Sequence, residues 1–428
     1  MAPVIAGELR VAGELTVPGD KSISHRSLIC AALAEGTSRV RAVLQSADVH
    51  STAGVLRALG VEIPPLADDL VIQGVGLRGL REPSVDLDCG NSGTSTRLLA
   101  GVVAGAGVVG RFVGDASLSR RPMRRIARPL AAMGATVELP EHGGLPMTVR
   151  GAPLTNVEWV NETGSAQVKS CIMFAALCAG VEAKIVESPR SRDHTERMLA
   201  SQGADVWVNE QSVLLHPVAR LTPLDVVVPG DPSSAAFFAA LAALAPRGEL
   251  LLRRVCVNDT RIGFLAALRE MGASIALDDR DRIAGEWIAD VRVDGGATLR
   301  GISIGRDAIP TLIDELPLVA CLAAYADGET RVTGAAELRV KESDRIAVVV
   351  GNLRTLGADA EELPDGFVVR GTAPALRGRV VTHGDHRMAM AFGILGALPG
   401  NDIEIDDREC VAVSYPTFWS DLAAVTGT

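Results

Sequence analysis

Aromatic side chains are scarce in this chain: Phe, Tyr and Trp together make up 3% of its 428 residues. The cores must therefore be built mainly from aliphatic side chains, and stacking surfaces for single-stranded nucleic acid are not expected. The formal net charge of −10 also argues against a general binder of polyanions. A hydrophobic fraction of 47%, with 22% charged residues, excludes a largely disordered chain.

Long apolar runs and paired cysteines are missing as well. The longest apolar runs, at 98–110, 235–246 and 388–400, are well short of the roughly 20 residues that a membrane span needs. Residues 1–10 carry neither a signal-peptide nor a transit-peptide pattern. The seven cysteines form no CxxC pair, which indicates buried thiols in a reducing compartment. We therefore expect a soluble cytoplasmic protein that binds neither nucleic acid nor membranes.

One phrase recurs along the chain: an apolar helical stretch, a glycine and a β-like segment. The marker glycines are Gly60, Gly134, Gly203, Gly272, Gly357 and Gly427. A glycine at this place is expected to end a helix, where a positive φ is needed. Alternating runs follow most copies, as in 61–74 and 205–217, and these predict hairpins. The pattern predicts six repeats of the order strand–helix–strand–helix–hairpin, the last one truncated.

The phrase Val-Pro-Gly-Asp occurs twice, at 17–20 and at 228–231. If the chain crosses between two lobes at both places, each lobe contains three of the six marker glycines. The predicted domains are then a middle lobe, 20–230, and a discontinuous outer lobe, 1–19 plus 231–428.

Each repeat also has an earlier helix with a small polar or acidic start, typical of N-caps. These starts are at 21–24, 91–94, 165–167, 231–234, 314–316 and 385–387. Helix N-termini favour anions, so similarly oriented starts in two facing lobes would form an electropositive cleft. Arginines at 120, 121, 124, 125 and 128 fit this view, although a solvated basic helix face explains their spacing equally well. Pro122 is expected to start a helix there and to orient Arg121.

The string 341–345, Lys-Glu-Ser-Asp-Arg, is the densest charged segment and is expected to open a helix that ends at Gly357. On such a helix Lys341 and Arg345 share a face, which gives either exposed salt bridges or an acid/base beside two anion ligands. Asp314 and Glu315 are either a helix N-cap pair or part of the same chemistry. Lysine is rare, since only Lys21, Lys169, Lys184 and Lys341 occur among 42 basic residues, so Lys21 and Lys341 gain weight.

Several other chemistries are excluded by spacing. Residues 19–22 match only the end of a phosphate-binding P-loop, and no GxGxxG phrase follows a strand with an acidic residue about 20 positions later. His383 and His386 are three positions apart, but no carboxylate–histidine cluster there indicates a metal site. Asp193 and His194 lack the nucleophile elbow of a hydrolase triad.

The polar strings, taken in order, resemble the 5-enolpyruvylshikimate-3-phosphate synthase family, and its second class in particular. The matching strings are GDKSISHRS (19–27), NSGTSTR (91–97), RRPM (120–123), SAQVKS (165–170), SRDHTE (191–196), GDPSSAAF (230–237), IDELP (313–317), LRVKESDR (338–345) and DHRMAMAF (385–392). They span nearly the whole chain. The resemblance implies an α/β fold of two lobes, each built of three βαβαββ repeats, also described as an inside-out α/β barrel.

The reaction that this resemblance implies joins phosphoenolpyruvate to the 5-hydroxyl of shikimate 3-phosphate, through a tetrahedral ketal intermediate, with release of phosphate. The family needs no metal and no organic cofactor. The implied partners are therefore the two small anionic substrates alone, and we expect a monomer.

Matching the motifs residue by residue implies a role for each polar group. Asp314 resembles the residue that binds and deprotonates the hydroxyl, Glu342 the acid/base at the methylene carbon, and Lys21 the central lysine shared by both substrates. The implied shikimate 3-phosphate ligands are Lys21, Ser22, Arg26, Ser165, Ala166, Gln167, Arg192, Asp314 and Lys341. The implied phosphoenolpyruvate ligands are Lys21, Gly93, Arg121, Gln167, Arg345 and Arg387. Asn91, Thr94 and His386 are expected to support them.

The chain departs from the family pattern in two places. Val413 stands before the Ser-Tyr-Pro phrase where some members carry lysine, and Leu98 stands where enterobacterial members carry proline. Second-class members that tolerate the phosphonate inhibitor glyphosate carry alanine at the place of Gly93, so this chain is expected to be sensitive.

Two alternatives remain open on sequence. The sister enzyme that transfers enolpyruvate to a UDP-amino sugar usually has a reactive cysteine in the loop that here spans 114–122, and this loop has none. A non-enzymatic anion-binding scaffold is disfavoured by the intact set Lys21, Asp314, Glu342 and Arg387.

Overall fold

The computed structural model describes residues 9–162, 164–188, 190–371 and 375–427. In chain order the α-helices are α1 Lys21–Leu33, α2 Ala47–Ala58, α3 Gly93–Ala106, α4 Ala116–Ser119, α5 Arg124–Met133, α6 Ala166–Ala179, α7 His194–Ser201, α8 Pro232–Leu244, α9 Gly263–Glu270, α10 Ile309–Leu312, α11 Leu316–Ala323, α12 Arg345–Thr355, α13 His386–Gly396 and α14 Phe418–Thr426. Short 3₁₀ helices occupy Ile313–Glu315, Ala336–Val340 and Glu409–Val413.

The strands are short, as expected for a repeated α/β unit. They are β1 Gly13–Leu15, β2 Glu35–Arg41, β3 Asp69–Val75, β4 Leu87–Asp88, β5 Val109–Val113, β6 Thr136–Glu138, β7 Met147–Arg150, β8 Val157–Val160, β9 Ala183–Val186, β10 Val206–Val208, β11 Ser212–Leu215, β12 Asp225–Val227, β13 Glu249–Cys256, β14 Ser274–Ile283, β15 Glu286–Asp294, β16 Ser303–Ile304, β17 Gly328–Val332, β18 Asp359–Leu363, β19 Gly366–Gly371, β20 Arg377–Val380 and β21 Asp402–Ile405.

The chain separates into two compact units. The inserted unit consists of Gly19–Pro229 and Arg282–Glu286. The discontinuous unit consists of the described residues of Met1–Pro18, Gly230–Asp281 and Trp287–Thr428. Among the described residues, each unit contains three sheets.

Four of these sheets have the same topology, with a parallel pair followed by an antiparallel hairpin. Their strand orders are β4-β5-β7-β6, β8-β9-β11-β10, β1-β13-β15-β14 and β16-β17-β19-β18. The remaining two sheets, β12-β2-β3 and β20-β21, are shorter versions that begin with the same parallel pair. The predicted α/β fold with repeated βαβαββ units is confirmed.

The marker glycines behave as predicted. Each of the six has a positive φ, from 71° at Gly427 to 112° at Gly272. Glycine adopts this left-handed conformation more easily than any residue with a Cβ does. The conformation ends the helix and lets the next segment turn away.

The first predicted hairpin is wrong. Residues 61–68 form no strand, and β3 pairs antiparallel with β2 instead. Pro64 and Pro65 lie in this stretch, and a residue without an N–H cannot donate to a sheet ladder. The alternation of apolar residues there reflects partial burial rather than pairing.

The first long helix of each repeat is apolar on nearly all sides and is therefore buried. Every residue of α8 and of α11 is buried, and so are eleven residues of α6. Within the inserted unit α3 packs closely on α6: a Cβ at Gly101 would lie 2.1 Å from the carbonyl oxygen of Cys171. None of the described helices combines the length and apolar character needed to cross a bilayer.

Candidate active site

In the inserted unit the predicted polar starts of α1, α3 and α6 are real helix N-termini. The carboxylate of Asp20 accepts a hydrogen bond from the Ile23 N–H at 2.7 Å, and Ser92 accepts one from the Ser95 N–H at 3.1 Å. Ser165 is the N-cap residue of α6. Three candidate ligands, Lys21, Gly93 and Ala166, are thus the first residues of their helices, where unpaired N–H groups favour anions.

Lys21 and Arg26 are both carried by α1 but differ in exposure. The Lys21 Nζ atom lies 3.1 Å from Asp48 Oδ2, and the side chain is 19% exposed. Arg26 is buried and donates to Thr195 Oγ1 at 2.7 Å, Ser170 Oγ at 2.8 Å and the Ser22 carbonyl at 3.0 Å. Burial lowers the pKa of Arg26 to about 10, with the charge of Glu196 as the strongest opposing influence. Arg26 therefore remains a cation at neutral pH, in a fixed position.

The starts of α3 and α6 are joined by Gln167. Its Nε2 donates to Thr94 Oγ1 at 2.9 Å, while its Oε1 accepts from Arg97. Arg121 donates to Asn91 Oδ1 at 2.6 Å. These contacts gather Asn91, Thr94 and Gln167 with two guanidinium groups.

Gly93 lies directly below those guanidinium groups. A Cβ added at this glycine would lie 3.3 Å from Arg121 Nη1 and 3.3 Å from Arg97 Nη1. The absence of a side chain therefore leaves backbone N–H groups and two cations open to the same small volume. This composition suits a phosphate or a carboxylate.

The basic run 120–128 divides into exposed and partly buried members. Arg120, Arg124 and Arg128 are exposed, as the solvated-face interpretation requires, whereas Arg121 and Arg125 are partly buried. The helix begins at Arg124 rather than at Pro122, so the predicted start is two residues too early. Pro122 instead lies within the short segment 120–123 between α4 and α5, and Met123 is the N-cap residue of α5.

In the discontinuous unit the candidate residues converge on Asp314. The Lys341 Nζ lies 3.3 Å and the Arg345 Nη1 3.4 Å from Asp314 Oδ1. Arg387 Nη2 lies 3.9 Å from Asp314 Oδ2, and its Nη1 donates to the Asp314 carbonyl at 3.2 Å. One carboxylate is thereby surrounded by three cations from two sequence segments, 341–345 and 385–387.

One local prediction about these segments is wrong, and one of two alternatives left open on sequence is not supported. Helix α12 begins at Arg345 with Asp344 as its N-cap, so Lys341 precedes the helix and does not share a helical face with Arg345. Both side chains nevertheless reach Asp314. Lys341 has an extended backbone, and its Nζ donates to Asp314 Oδ1. Asp314 and Glu315 lie in a 3₁₀ turn and do not cap α11 with their side chains.

Glu342 and Arg345 do interact: Arg345 Nη2 donates to Glu342 Oε2 at 2.8 Å. The same guanidinium donates through Nε to the fully buried Asp385 Oδ2, also at 2.8 Å. Burial alone would raise the pKa of Asp385, but the Arg345 charge outweighs it and holds the pKa below the ordinary 3.8. Arg345 therefore links Asp314, Glu342 and Asp385.

The remaining candidates occupy positions near these groups. Ser22 follows Lys21 on α1, and its carbonyl accepts from Arg26. Arg192 is partly buried and precedes α7. His386 is buried as the first residue of α13, next to Arg387. Each unit thus brings its own candidates together.

Sequence reasoning missed a buried ion cluster in the inserted unit. Lys169 Nζ lies 2.6 Å from Glu187 Oε1 and 2.7 Å from Glu196 Oε1, and all three side chains are at most 3% exposed. Thr195, which holds Arg26, is the residue before Glu196. The rarity of lysine was the available signal, but it was applied only to Lys21 and Lys341.

No metal centre or reactive thiol is found in the described ranges. They contain no group of three or more His, Cys, Asp or Glu side chains arranged to hold a metal ion. All seven cysteines are free thiols. Burial raises the pKa of Cys30 and of Cys89 to about 12, which keeps both protonated and unreactive at neutral pH.

The two-unit α/β architecture is the fold of the enolpyruvyl transferases. It is similar to the enolpyruvyl transferase NikO from Streptomyces tendae, with a TM-score of 0.74, 17% identity and coverage of 98% of this chain and 96% of that one. It is more similar to EPSP synthase from Acinetobacter baumannii, with a TM-score of 0.87, 41% identity and coverage of 98% and 96%.

The sequence comparison is more specific than the fold. The chain matches the family EPSP synthase (3-phosphoshikimate 1-carboxyvinyltransferase) over residues 5–422. It is 46% identical over 420 residues to the 3-phosphoshikimate 1-carboxyvinyltransferase of Persephonella marina, covering 97% of each chain. It is 48% identical over 410 residues to that of Acidithiobacillus ferrooxidans, covering 96% of this chain and 94% of the relative. The chain belongs to the EPSP synthase family, a family of transferases, and the predicted resemblance is confirmed.

Proposed function

We propose that this chain transfers the enolpyruvyl group of phosphoenolpyruvate to the 5-hydroxyl of shikimate 3-phosphate and releases phosphate. The observation that carries the proposal is the convergence of Lys341, Arg345 and Arg387 on the Asp314 carboxylate in a member of this family. A carboxylate among cations can accept a proton from a hydroxyl while the cations hold anionic substrates.

The proposed roles follow the charges of the two substrates. Arg26, held by Thr195 and Ser170, binds the shikimate phosphate, with Ser22, Ser165, Ala166, Arg192 and Lys341 as further ligands of shikimate 3-phosphate. Arg121, Arg345 and Arg387, with the open backbone at Gly93, bind phosphoenolpyruvate. Lys21 and Gln167 serve both substrates. Asn91, Thr94 and His386 orient these ligands.

In the proposed chemistry Asp314 binds the 5-hydroxyl and takes its proton as the oxygen attacks phosphoenolpyruvate. Glu342, fixed by Arg345 at 2.8 Å, donates a proton to the methylene carbon, which gives the ketal intermediate. Glu342 then takes a proton back from the methyl carbon of that intermediate as phosphate leaves, restoring the double bond. The proton that Asp314 took from the hydroxyl leaves with the phosphate, so both side chains return to their starting protonation states.

A continuous phosphate-release assay with the purified chain tests the function. Phosphate release that requires both shikimate 3-phosphate and phosphoenolpyruvate supports the proposal. Release with UDP-N-acetylglucosamine as the acceptor would instead identify the sister reaction, and no release with either acceptor would overturn the assignment as a transferase.

We further propose that the inserted and discontinuous units correspond to a lobe of 20–230 and a lobe of 1–19 plus 231–428. A cytoplasmic monomer fits a reaction between two soluble anions. Light scattering on the eluted peak of a size-exclusion column tests the monomer: a mass near the sequence value of 44.7 kDa is expected.

Inhibition by glyphosate is expected to depend on the open backbone at Gly93. The Gly93→Ala variant should raise the inhibition constant by about tenfold or more beyond any rise in KM, because one misplaced methyl group costs about 10–200-fold in a tight site. The added Cβ would crowd Arg121 and Arg97 at 3.3 Å, and the longer phosphonate tolerates less displacement than phosphoenolpyruvate does.

Inhibition series at several phosphoenolpyruvate concentrations measure both constants. Gly54→Ala is the matched control, since this glycine lies on helix α2 of the same unit and a Cβ there meets nothing within 4 Å. Equal shifts of the inhibition constant and KM in Gly93→Ala would contradict the steric explanation.

A further inference from the structure

We propose that Glu315 is a positioning residue for Arg387, held in place by a buried relay that starts at Asp231. The inference rests on the proposed function, because it treats Arg387 as a ligand of phosphoenolpyruvate. It also gives a role to the second Val-Pro-Gly-Asp phrase, which ends at Asp231.

Arg387 is held on one side by the turn that contains Asp314 and Glu315. Its Nη1 lies 3.5 Å from Glu315 Oε1 and donates to the Asp314 carbonyl at 3.2 Å. The side chains of Arg387 and Glu315 are 9% and 2% exposed. A guanidinium binds a carboxylate or a phosphate best when its plane is fixed, because two N–H groups must point at two oxygens.

Glu315 itself is fixed by the start of helix α8. Ser233 Oγ donates a short hydrogen bond to Glu315 Oε1. Arg261 Nη2 donates to Ser233 Oγ at 2.9 Å and lies 3.2 Å from Asp231 Oδ1. The Ser233 N–H donates to Asp231 Oδ1 at 2.7 Å. Each contact has a donor and an acceptor, so the chain from Asp231 to Arg387 is continuous.

The relay is also balanced in charge. Asp231 and Arg261 form one buried pair, and Glu315 and Arg387 form the next, with Ser233 between them. Glu315 therefore offsets part of the Arg387 charge, which the Asp314 carboxylate also faces at 3.9 Å while it contacts Lys341 and Arg345. Because the buried Glu315 contacts Arg387 from the protein interior, we assign Glu315 no contact with the reacting atoms of the substrates.

Three variants separate positioning from simple electrostatics. Glu315→Gln keeps the shape of the side chain and removes its charge. Glu315→Asp keeps the charge but moves the carboxylate away from Arg387 by one methylene group. Ser233→Ala keeps every charge but removes the hydrogen bond that supports Glu315. Positioning predicts that KM for phosphoenolpyruvate rises about tenfold or more in both Glu315 variants and at least about threefold in Ser233→Ala. KM for shikimate 3-phosphate should stay within about twofold.

A purely electrostatic role of Glu315 predicts the opposite change in KM for phosphoenolpyruvate. If Glu315 only weakened the local positive potential, Glu315→Gln would bind anions more tightly and lower KM for phosphoenolpyruvate. An unchanged or lower KM in Glu315→Gln and Ser233→Ala would overturn the proposal. Equal rises in both KM values would also overturn it, since they would indicate general damage to the fold.

A second measurement does not depend on turnover. The shift in melting temperature that saturating phosphoenolpyruvate produces should shrink in the three variants and persist in Glu361→Gln, an exposed control in the same unit. If the unaltered chain released no phosphate, the proposed function would fail, whereas the ligand-induced shift would still test Glu315. Undiminished shifts in all three variants would overturn the proposal.

Discussion

Replacing Asp314 or Lys21 by alanine is expected to lower kcat by about 10²–10⁴-fold, the usual range for a positioned acid/base or charge stabiliser. Asp314 is the carboxylate on which Lys341, Arg345 and Arg387 converge, and its loss removes the proposed base for the hydroxyl. Lys21 begins α1 and is the proposed cation shared by both substrates. Steady-state phosphate release measures both effects.

Two matched variants control for non-specific damage. Asp402→Ala removes an exposed aspartate of the same unit as Asp314, and Lys184→Ala removes an exposed lysine of the same unit as Lys21. Both controls should retain kcat within about twofold, since surface substitutions rarely disturb a distant site. Circular dichroism should be unchanged in all four. More than about a tenth of the original activity in Asp314→Ala or Lys21→Ala would show that the proposed role of that residue is wrong.

Replacing Asp385 by asparagine is expected to destabilise the protein by about 3 kcal/mol at neutral pH, the lower end of the range for breaking a buried ion pair. Asparagine can still accept the N-cap hydrogen bond that Asp385 receives from the Arg387 N–H at 3.0 Å. The loss of stability therefore reflects mainly the removal of the negative charge beside Arg345. Glu342 and Asp314 remain beside Arg345, which moderates the effect.

The effect of Asp385→Asn should depend on pH in a definite direction. The pKa of Asp385 is lower in the folded than in the unfolded chain, so its contribution to stability is complete above the ordinary value of 3.8 and is lost as the pH falls through the folded value. Calorimetric melting temperatures should therefore differ most above about pH 5 and converge below about pH 4. Asp402→Asn is the exposed control, and a difference that grows on acidification would contradict this account.

Periodic features were the part of the fold that the sequence predicted well. Marker glycines such as Gly134 and Gly272 fixed the repeat because a positive φ at a helix end is a local requirement that few other residues meet. The N-caps Ser92, Asp231 and Asp385 were visible for the same local reason, whereas Asp20 lies one residue before the predicted start at 21–24. The hairpin at 61–74 failed because burial, rather than pairing, produced its alternation.

Local spacing and the motif resemblance predicted the residues of the candidate site but not the tertiary contacts between them. Lys341 and Arg345 meet at Asp314 through a tertiary contact, not through the helical spacing that suggested their association. The Lys169, Glu187 and Glu196 cluster joins α6, the segment after β9 and α7, and no local pattern in the sequence marks such a union. The contact between Glu315 and Ser233 was not predicted either, because the two residues are 82 positions apart and no local pattern connects them.

The strand order of the discontinuous unit has a consequence for how the protein is made. Strand β1 lies parallel to β13, with Gly13 opposite Leu250, and Glu14 pairs with Arg253 across 239 positions. At about 5–20 residues per second, a ribosome needs roughly ten seconds to a minute to supply that partner strand. The continuous stretch Gly19–Pro229 of the inserted unit is complete before then, including β12, which closes the sheet of β2. Strand β1 therefore leaves the ribosome long before its partner and pairs late, and until then Val11 and Val17 beside it lack the burial that they have in the folded unit.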